Sequence, residues 1–214
     1  MKIEGETVQR FLIAFVVGLT GSLAAGESQV WWEGEDTAAT NFPQSTWFDA
    51  QTPAEREKLS GGDWLTHIGE RKAGDPAPFA EYDVTVPETA AYDLWVRKLW
   101  KHGPFRWRFD DRPWRTVGRD IALADSVVLR THIPANWVYV GEVKLTRGRH
   151  DFRIELLAQP GEARTSGFDA FLLTTGAFLP RGKLKPGERY DRAEPGYFAF
   201  EPGLDEFTDD ALLD

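Results

Sequence analysis

Across Glu81-Tyr82-Asp83-Val84-Thr85-Val86 the chain alternates polar and apolar residues with a period of two. An extended strand sends successive side chains to opposite faces, so this spacing puts Tyr82, Val84 and Val86 on one side, and no helix could gather them into a stripe. The spacing returns after a turn marked by Pro87, Glu88 and Ala90: Tyr92, Leu94 and Val96 point inward, and Trp95 lies beside Arg97 on the opposite face. Phe105-Arg106-Trp107-Arg108-Phe109 then alternates aromatic with basic residues before an Asp110-Asp111 turn. Further strands are predicted over 137–145, 152–157 and 168–174, with the tight turn Thr146-Arg147-Gly148-Arg149 between the first two. Two half-buried sheets facing each other satisfy such a pattern, so the predicted fold is an all-β antiparallel β-sandwich. Helix is expected once: Thr52-Pro53-Ala54-Glu55 reads as a capping box with Pro at the first helical position, giving one or two turns to about Lys58 before Ser60-Gly61-Gly62 breaks them.

A chain of 214 residues with 42% hydrophobic content suits one good core. The organisation expected is a signal over residues 1–24, a domain over 29–177, and a linker or the start of a following domain over 178–214. The apolar run 11–19 followed by Ser22-Leu23-Ala24 has the form of an export signal cleaved after Ala24, and it is too short to span a bilayer comfortably. A secreted, periplasmic or cell-surface location follows, with no membrane contact once the signal is gone. The tail is polar and turn-rich, and from Glu201 to Asp214 it carries acids with no Lys or Arg. A net charge of -9 and a pI near 5.0 argue against nucleic acid as a partner, since phosphates need clustered Lys and Arg. With no cysteine, disulfides and thiolate metal sites are excluded. G-x-S-x-G, Gly-rich phosphate loops and a Cys nucleophile are all absent from the sequence, so the expected function is non-catalytic.

Two features carry chemistry. In Trp31-Trp32-Glu33-Gly34-Glu35-Asp36 the acids Glu33 and Glu35 lie two apart, on one side of an extended strand, and Asp169 opens the apolar run Asp169–Leu173. A hard cation such as calcium, held by Glu33, Glu35 and Asp169 with backbone carbonyls completing its shell, would join the first strand to the last. Solvated charges on an edge strand are the other reading, because charge there deters sheet-to-sheet pairing. The second feature is a count of nine Trp, whose flat apolar faces suit either a sandwich core or stacking on sugar rings.

In this order, Trp32-Glu33-Gly34-Glu35-Asp36, the Phe79–Pro87 strand, Tyr92-Asp93-Leu94-Trp95-Val96-Arg97, the Val143–His150 hairpin and Phe168-Asp169-Ala170-Phe171-Leu172-Leu173 resemble carbohydrate-binding modules of the family 6 and family 35 type. The likeness covers roughly residues 29–177. It implies a galactose-binding-like jelly roll with one short helix and an irregular C-terminal tail. It implies a structural calcium on Glu33, Glu35 and Asp169, and an oligosaccharide or polysaccharide ligand in a cleft among the loops at one end. Positions that fit the cleft are Trp64, Trp137 with Asn136, Thr165 and Ser166, and Trp100 beside Lys101-His102. An attached glycoside hydrolase domain is the partner such a module would serve. The rival expectations are a structural sandwich packed on a neighbouring domain, and a small glycoside hydrolase or lyase, for which two carboxylates at the right separation would suffice.

Overall fold

The computed structural model describes residues 27–69, 76–157 and 164–190. The signal expected over 1–24 lies outside the described residues, as does the chain beyond Tyr190. Eleven strands and one short helix follow in the order β1 (Gln29–Glu33), β2 (Ala39–Thr40), α1 (Pro53–Arg56), β3 (Leu65–His67), β4 (Phe79–Val86), β5 (Ala90–Leu99), β6 (Phe105–Phe109), β7 (Arg115–Val117), β8 (Ala124–Arg130), β9 (Ile133–Leu145), β10 (Gly148–Leu156) and β11 (Ser166–Thr174). They form two antiparallel sheets, β1-β11-β5-β9-β8 with β3 also on β11, and β2-β4-β10-β6-β7. The antiparallel β-sandwich predicted from the alternation is the fold found, in the jelly-roll form that the resemblance implies. Short strands 2, 3, 7 and 8 escaped the sequence reading, and β9 begins at Ile133 rather than at Trp137.

The period-two residues build the space between the sheets. Tyr82, Val84 and Val86 from β4, Tyr92, Leu94 and Val96 from β5, Phe152 and Ile154 from β10, and Phe168, Phe171 and Leu173 from β11 are all buried in one cluster. Trp32 stacks on Phe171 with centroids 5.2 Å apart and meets Phe152 edge-on at 5.4 Å, so the first strand is bound to both sheets by rings. Each ring buried here contributes roughly 1.5–3 kcal/mol.

At α1 the capping box is displaced by one residue. Thr52 Oγ1 accepts from the Glu55 amide at 3.2 Å, as expected, but Glu55 Oε2 accepts from the amide of Gln51 at 2.8 Å instead of that of Thr52. Regular helix stops at Arg56, and the turn continues to Leu59 through tighter bonds from Lys58 N to Glu55 O and Leu59 N to Arg56 O, both 3.1 Å.

The outward face of the first sheet is also apolar. Trp31, Trp95, Trp137, Ala170 and Leu172 gather there, and Phe178 packs on Trp137 at 5.0 Å and on Trp95 at 5.5 Å. The segment 178–190, expected as a linker, crosses this face as a strap. Trp137 Nε1 donates to Gly182 O at 2.8 Å, Gly182 N donates to Asp125, and Lys185 Nζ lies 5.7 Å from the Trp31 ring and 3.2 Å from Glu33 Oε1.

Candidate functional site

Strand directions bring the end of β1, the start of β11, the end of β5 and the start of β9 to one end of the sandwich. The acidic group lies there, as do Trp64, against Gly167 of β11, and Trp100, which follows β5.

The acidic group is assembled around backbone. Gly34 N donates to Asp169 O at 2.7 Å, Tyr82 Oη donates to Gly34 O at 2.7 Å, and a Cβ on Gly34 would fall 2.0 Å from Phe168 O. Only glycine lets the chain press so closely on β11, which is why the two acids are separated by Gly34. Gly61, at φ +63°, closes the other side: a Cβ there would lie 2.5 Å from Glu35 Oε1 and 3.5 Å from Glu33 Cγ. A shift of register between Phe168 and Ala170 frees Asp169 from the ladder. Its side chain is fully buried, with Oδ2 accepting from Arg97 Nη1 at 2.6 Å and Oδ1 accepting from Ser60 N at 2.9 Å.

Glu33 Oε1 accepts from Trp31 Nε1 at 3.0 Å and faces Lys185, while Glu33 Oε2 and Glu35 Oε2 are buried without a hydrogen-bond partner among the described residues. Burial raises the Glu35 carboxyl to about 8, and the charges of Asp169, Glu33 and Asp36 push the same way against its own backbone amide. Burial also pushes Asp169 up, opposed by Arg97. Among the described residues no three acidic, His or Cys side chains are placed to hold a metal ion between them. Asp169 spends one hydrogen bond of each oxygen on Arg97 and Ser60. The two orphaned oxygens of Glu33 and Glu35 nevertheless fit a hard cation, because buried carboxylate oxygens without donors are costly unless something positive faces them.

The aromatic residues part company. Trp64 is buried, its Nε1 donating to Phe48 O at 2.9 Å and its ring lying against Gly167. Trp137 is fully buried beneath the strap. Asn136 is buried as well, with Nδ2 donating to Asp125 O at 3.2 Å. Ser166 is fully buried, its hydroxyl without a partner among the described residues, and Thr165 is half-buried. These positions correct the sequence reading of Trp64, Trp137 and Asn136: the two indoles are buried and hydrogen-bonded within the sandwich, and Asn136 lies inside it with Nδ2 engaged and Oδ1 without a hydrogen-bond partner among the described residues.

Trp100 is the exception, 46% exposed. A residue the sequence reading passed over joins it: Trp47, 60% exposed, lies in the polar passage before α1. A chain of rings connects the two, with centroid spacings of 5.3 Å from Trp47 to Phe48, 5.9 Å from Phe48 to His102, and 6.3 Å from His102 to Trp100. Buried Phe48, Leu59, Trp64, Leu99, Leu129 and Ile133 form the cluster beneath. Arg130 fixes the Trp47 loop by donating to Trp47 O, to Asp49 O at 3.0 Å and to Glu55 Oε2 at 2.6 Å, with its guanidinium 5.1 Å from the Trp47 ring. Burial, with Lys98 and Arg119 nearby, lowers the His102 pKa, so its imidazole is neutral at pH 7 and can both donate and accept.

No protein-family model matches the chain, and no curated protein matches it. Among solved structures the chain is similar to a GH26-CBM35 β-(1,4)-mannanase of Podospora anserina, at 17% identity and a TM-score of 0.44, over 72% of this chain and 29% of that one. It is similar to an exo-β-1,3-galactanase of Phanerochaete chrysosporium, at 10% identity and a TM-score of 0.41, over 68% of this chain and 29% of that one. It is also similar to the insecticidal crystal protein Cry2Aa, at 11% identity and a TM-score of 0.40, over 68% of this chain and 21% of that one. The chain thus spans less than a third of each, and the three differ in what they are named for, so no ligand follows from them.

Proposed function

We propose that this chain is a non-catalytic polysaccharide-binding module that holds its sugar on the Trp47–Phe48–His102–Trp100 rim. The observation that carries the proposal is the pair of exposed indoles at one end of the sandwich, linked through Phe48 and His102 over a buried apolar floor. Indoles left in water beside a neutral imidazole suit a pyranose, whose C–H face stacks on a ring while its hydroxyls exchange hydrogen bonds with His102. Few faces stack, and water competes for the hydroxyls, so affinity per site is weak. A module of this kind serves an attached glycoside hydrolase by raising its effective concentration at insoluble substrate, which places the protein outside the cell. No helix among the described residues is long and apolar enough to cross a membrane.

Calcium belongs to the same proposal as a structural ion. Glu33 and Glu35 would hold it through their orphaned oxygens, and its charge would neutralise carboxylates that burial otherwise disfavours. Asp169 keeps Arg97, so the ion needs backbone carbonyls or water for the rest of its shell. Gly61 keeps a Cβ atom out of the space the two glutamates share, and Gly34 keeps one off the backbone of β11.

Affinity electrophoresis through gels carrying plant and algal polysaccharides tests the reading. Retardation on at least one glycan is expected, and Trp100→Ala or Trp47→Ala should abolish it while the melting temperature stays within a few degrees of the parent. A parent protein that no glycan retards, or retardation that survives both substitutions, overturns the proposal. Release of reducing sugar by the isolated chain would favour the enzyme instead.

A further inference from the structure

Lys98 is an ionisable residue buried inside the sandwich. It is 2% exposed, on the face of β5 that carries Val96 toward the core, opposite Asn136 of β9 and Phe168 of β11. Its acceptors are all backbone carbonyls: Nζ donates to Leu99 O at 3.2 Å, to Trp100 O at 2.7 Å, and to His102 O. Those three oxygens belong to the loop that presents Trp100 and His102.

We propose that Lys98 is the positioning residue of the rim, gathering the carbonyls of Leu99, Trp100 and His102 so that the Trp100 indole and the His102 imidazole face a ligand in a fixed arrangement. The inference rests on the rim being the binding surface. Three observations support it. Trp100 sits at φ +29°, a backbone state that side-chain-bearing residues rarely adopt unless neighbouring contacts impose it. Among the described residues the loop's other contacts are Trp100 N donating to Pro134 O at 3.1 Å, His102 N donating to Leu99 O at 3.2 Å, Arg119 Nε donating to Gly103 O at 3.0 Å, and the His102 ring lying against Phe48 and Trp100, and Lys98 is the one group that binds three of its carbonyls at once. Finally, an ammonium has three N–H donors for three carbonyls, whereas a neutral amine has two and turns a lone pair toward the third.

Protonation therefore matters to the loop. Burial, with Arg119 adding to it, lowers the Lys98 pKa to about 7, and the other titratable group beside it is His102 in the same loop. Below that value all three carbonyls have a donor, and above it one loses its donor, so the rim is tightest on the acid side of neutrality.

The test uses the full chain labelled with 5-fluorotryptophan, with the 19F lines of Trp100 and Trp47 assigned by Trp100→Phe and Trp47→Phe. In Lys98→Met the Trp100 line should shift or split while the Trp47 line keeps its place; a Trp100 line identical to the parent's overturns the inference. Should Lys98→Met fail to fold, a pH series on His102→Gln protein decides the matter without it. There the Trp100 line should move with a midpoint near 7, and a line fixed from about pH 5.5 to 8.5 counts against Lys98. On a glycan that retards the parent, Lys98→Met should weaken binding about five- to tenfold. If no glycan retards the parent, the binding reading falls while the 19F result still decides what Lys98 does.

Discussion

The two outward faces of the sandwich are written with the same alternation and come to opposite ends. On the first sheet the outward positions are Trp31, Trp95, Trp137 and Leu172, and 178–190 lies across them. On the second they are Arg106, Arg108, Arg149 and Arg153, answered by Glu155, Glu81 and Asp83, with Trp114 lying 4.3 Å and 4.6 Å from the guanidiniums of Arg106 and Arg108. Charged side chains on long stems can face water and pair across strands, so that face needs no cover. Three indoles gathered on one sheet face would form a large apolar patch in water, and a polar segment covers them. The difference shows that the strap belongs to the fold, although its own composition, rich in Gly, Pro and Lys, reads as a linker.

Trp137→Ala strikes at that contrast hardest. It removes a fully buried ring that touches Trp31 at 5.3 Å and Phe178 at 5.0 Å, and it leaves Gly182 O without its donor. A loss of about 3–5 kcal/mol in urea unfolding is expected. A loss under about 1 kcal/mol would mean that the strap rests on the sheet without stabilising it, and the two faces would then be alike.

How much of this was legible follows from where each contact lies along the chain. Tyr82, Val84, Val86, Leu94 and Val96 could be assigned to the core because the period-two rule is local. The turn at Pro53 was legible for the same reason, its cap being made within four residues. Trp137 reads identically whether it ends beneath a strap or at an open rim, because the deciding bond comes from Gly182, forty-five residues later. Trp64 is settled by Phe48 and Gly167, and Asp169 by Arg97, seventy-two residues earlier. Trp47 was missed because it follows no period; the signal it offered was an aromatic pair, Trp47-Phe48, in an otherwise polar passage. The Glu-Gly-Glu motif was legible as chemistry, and the need for Gly34 became clear only with β11 pressed against it.

At the margin of the covered face Glu35 offers a sharper, smaller test. Its carboxyl titrates near 8 in the folded chain against 4.5 as the ordinary value, so between those pH values the folded state holds more protons than the unfolded one. Stability contributed by this group is therefore fully present below about 4.5 and lost as pH rises through about 8. Asp169, raised by burial, tilts the curve the same way. With chelator present, the melting temperature of the parent minus that of Glu35→Gln should fall between about pH 5 and pH 8, a difference that separates this acid from His67, His102 and Lys98, whose pKa values burial lowers and which tilt the curve the other way. Calcium should restore more at pH 8 than at pH 5, because ion and proton compete for the same oxygens. A difference that stays flat or rises across this range would show that Glu35 holds no extra proton in the folded chain, and would remove the electrostatic reason for an ion there.

The smallest effect is expected on the open face, where Arg149 and Asp83 meet at 2.5 Å with side chains 67% and 50% exposed. Pairs in water give back in side-chain entropy most of what they gain by attraction, so Arg149→Ala should cost no more than about 0.5 kcal/mol, and less in high salt. Arg153 provides the internal reference: it bridges Glu81 and Glu155, the latter 9% exposed at its side chain, and its removal leaves a buried carboxylate with only Arg106 to answer it. Arg153→Ala should therefore cost more than Arg149→Ala, yet less than Trp137→Ala, in the same urea titration. If Arg149→Ala proved as damaging as Trp137→Ala, its charge would be holding structure rather than facing water, and an uncovered face would need some other reason for staying open.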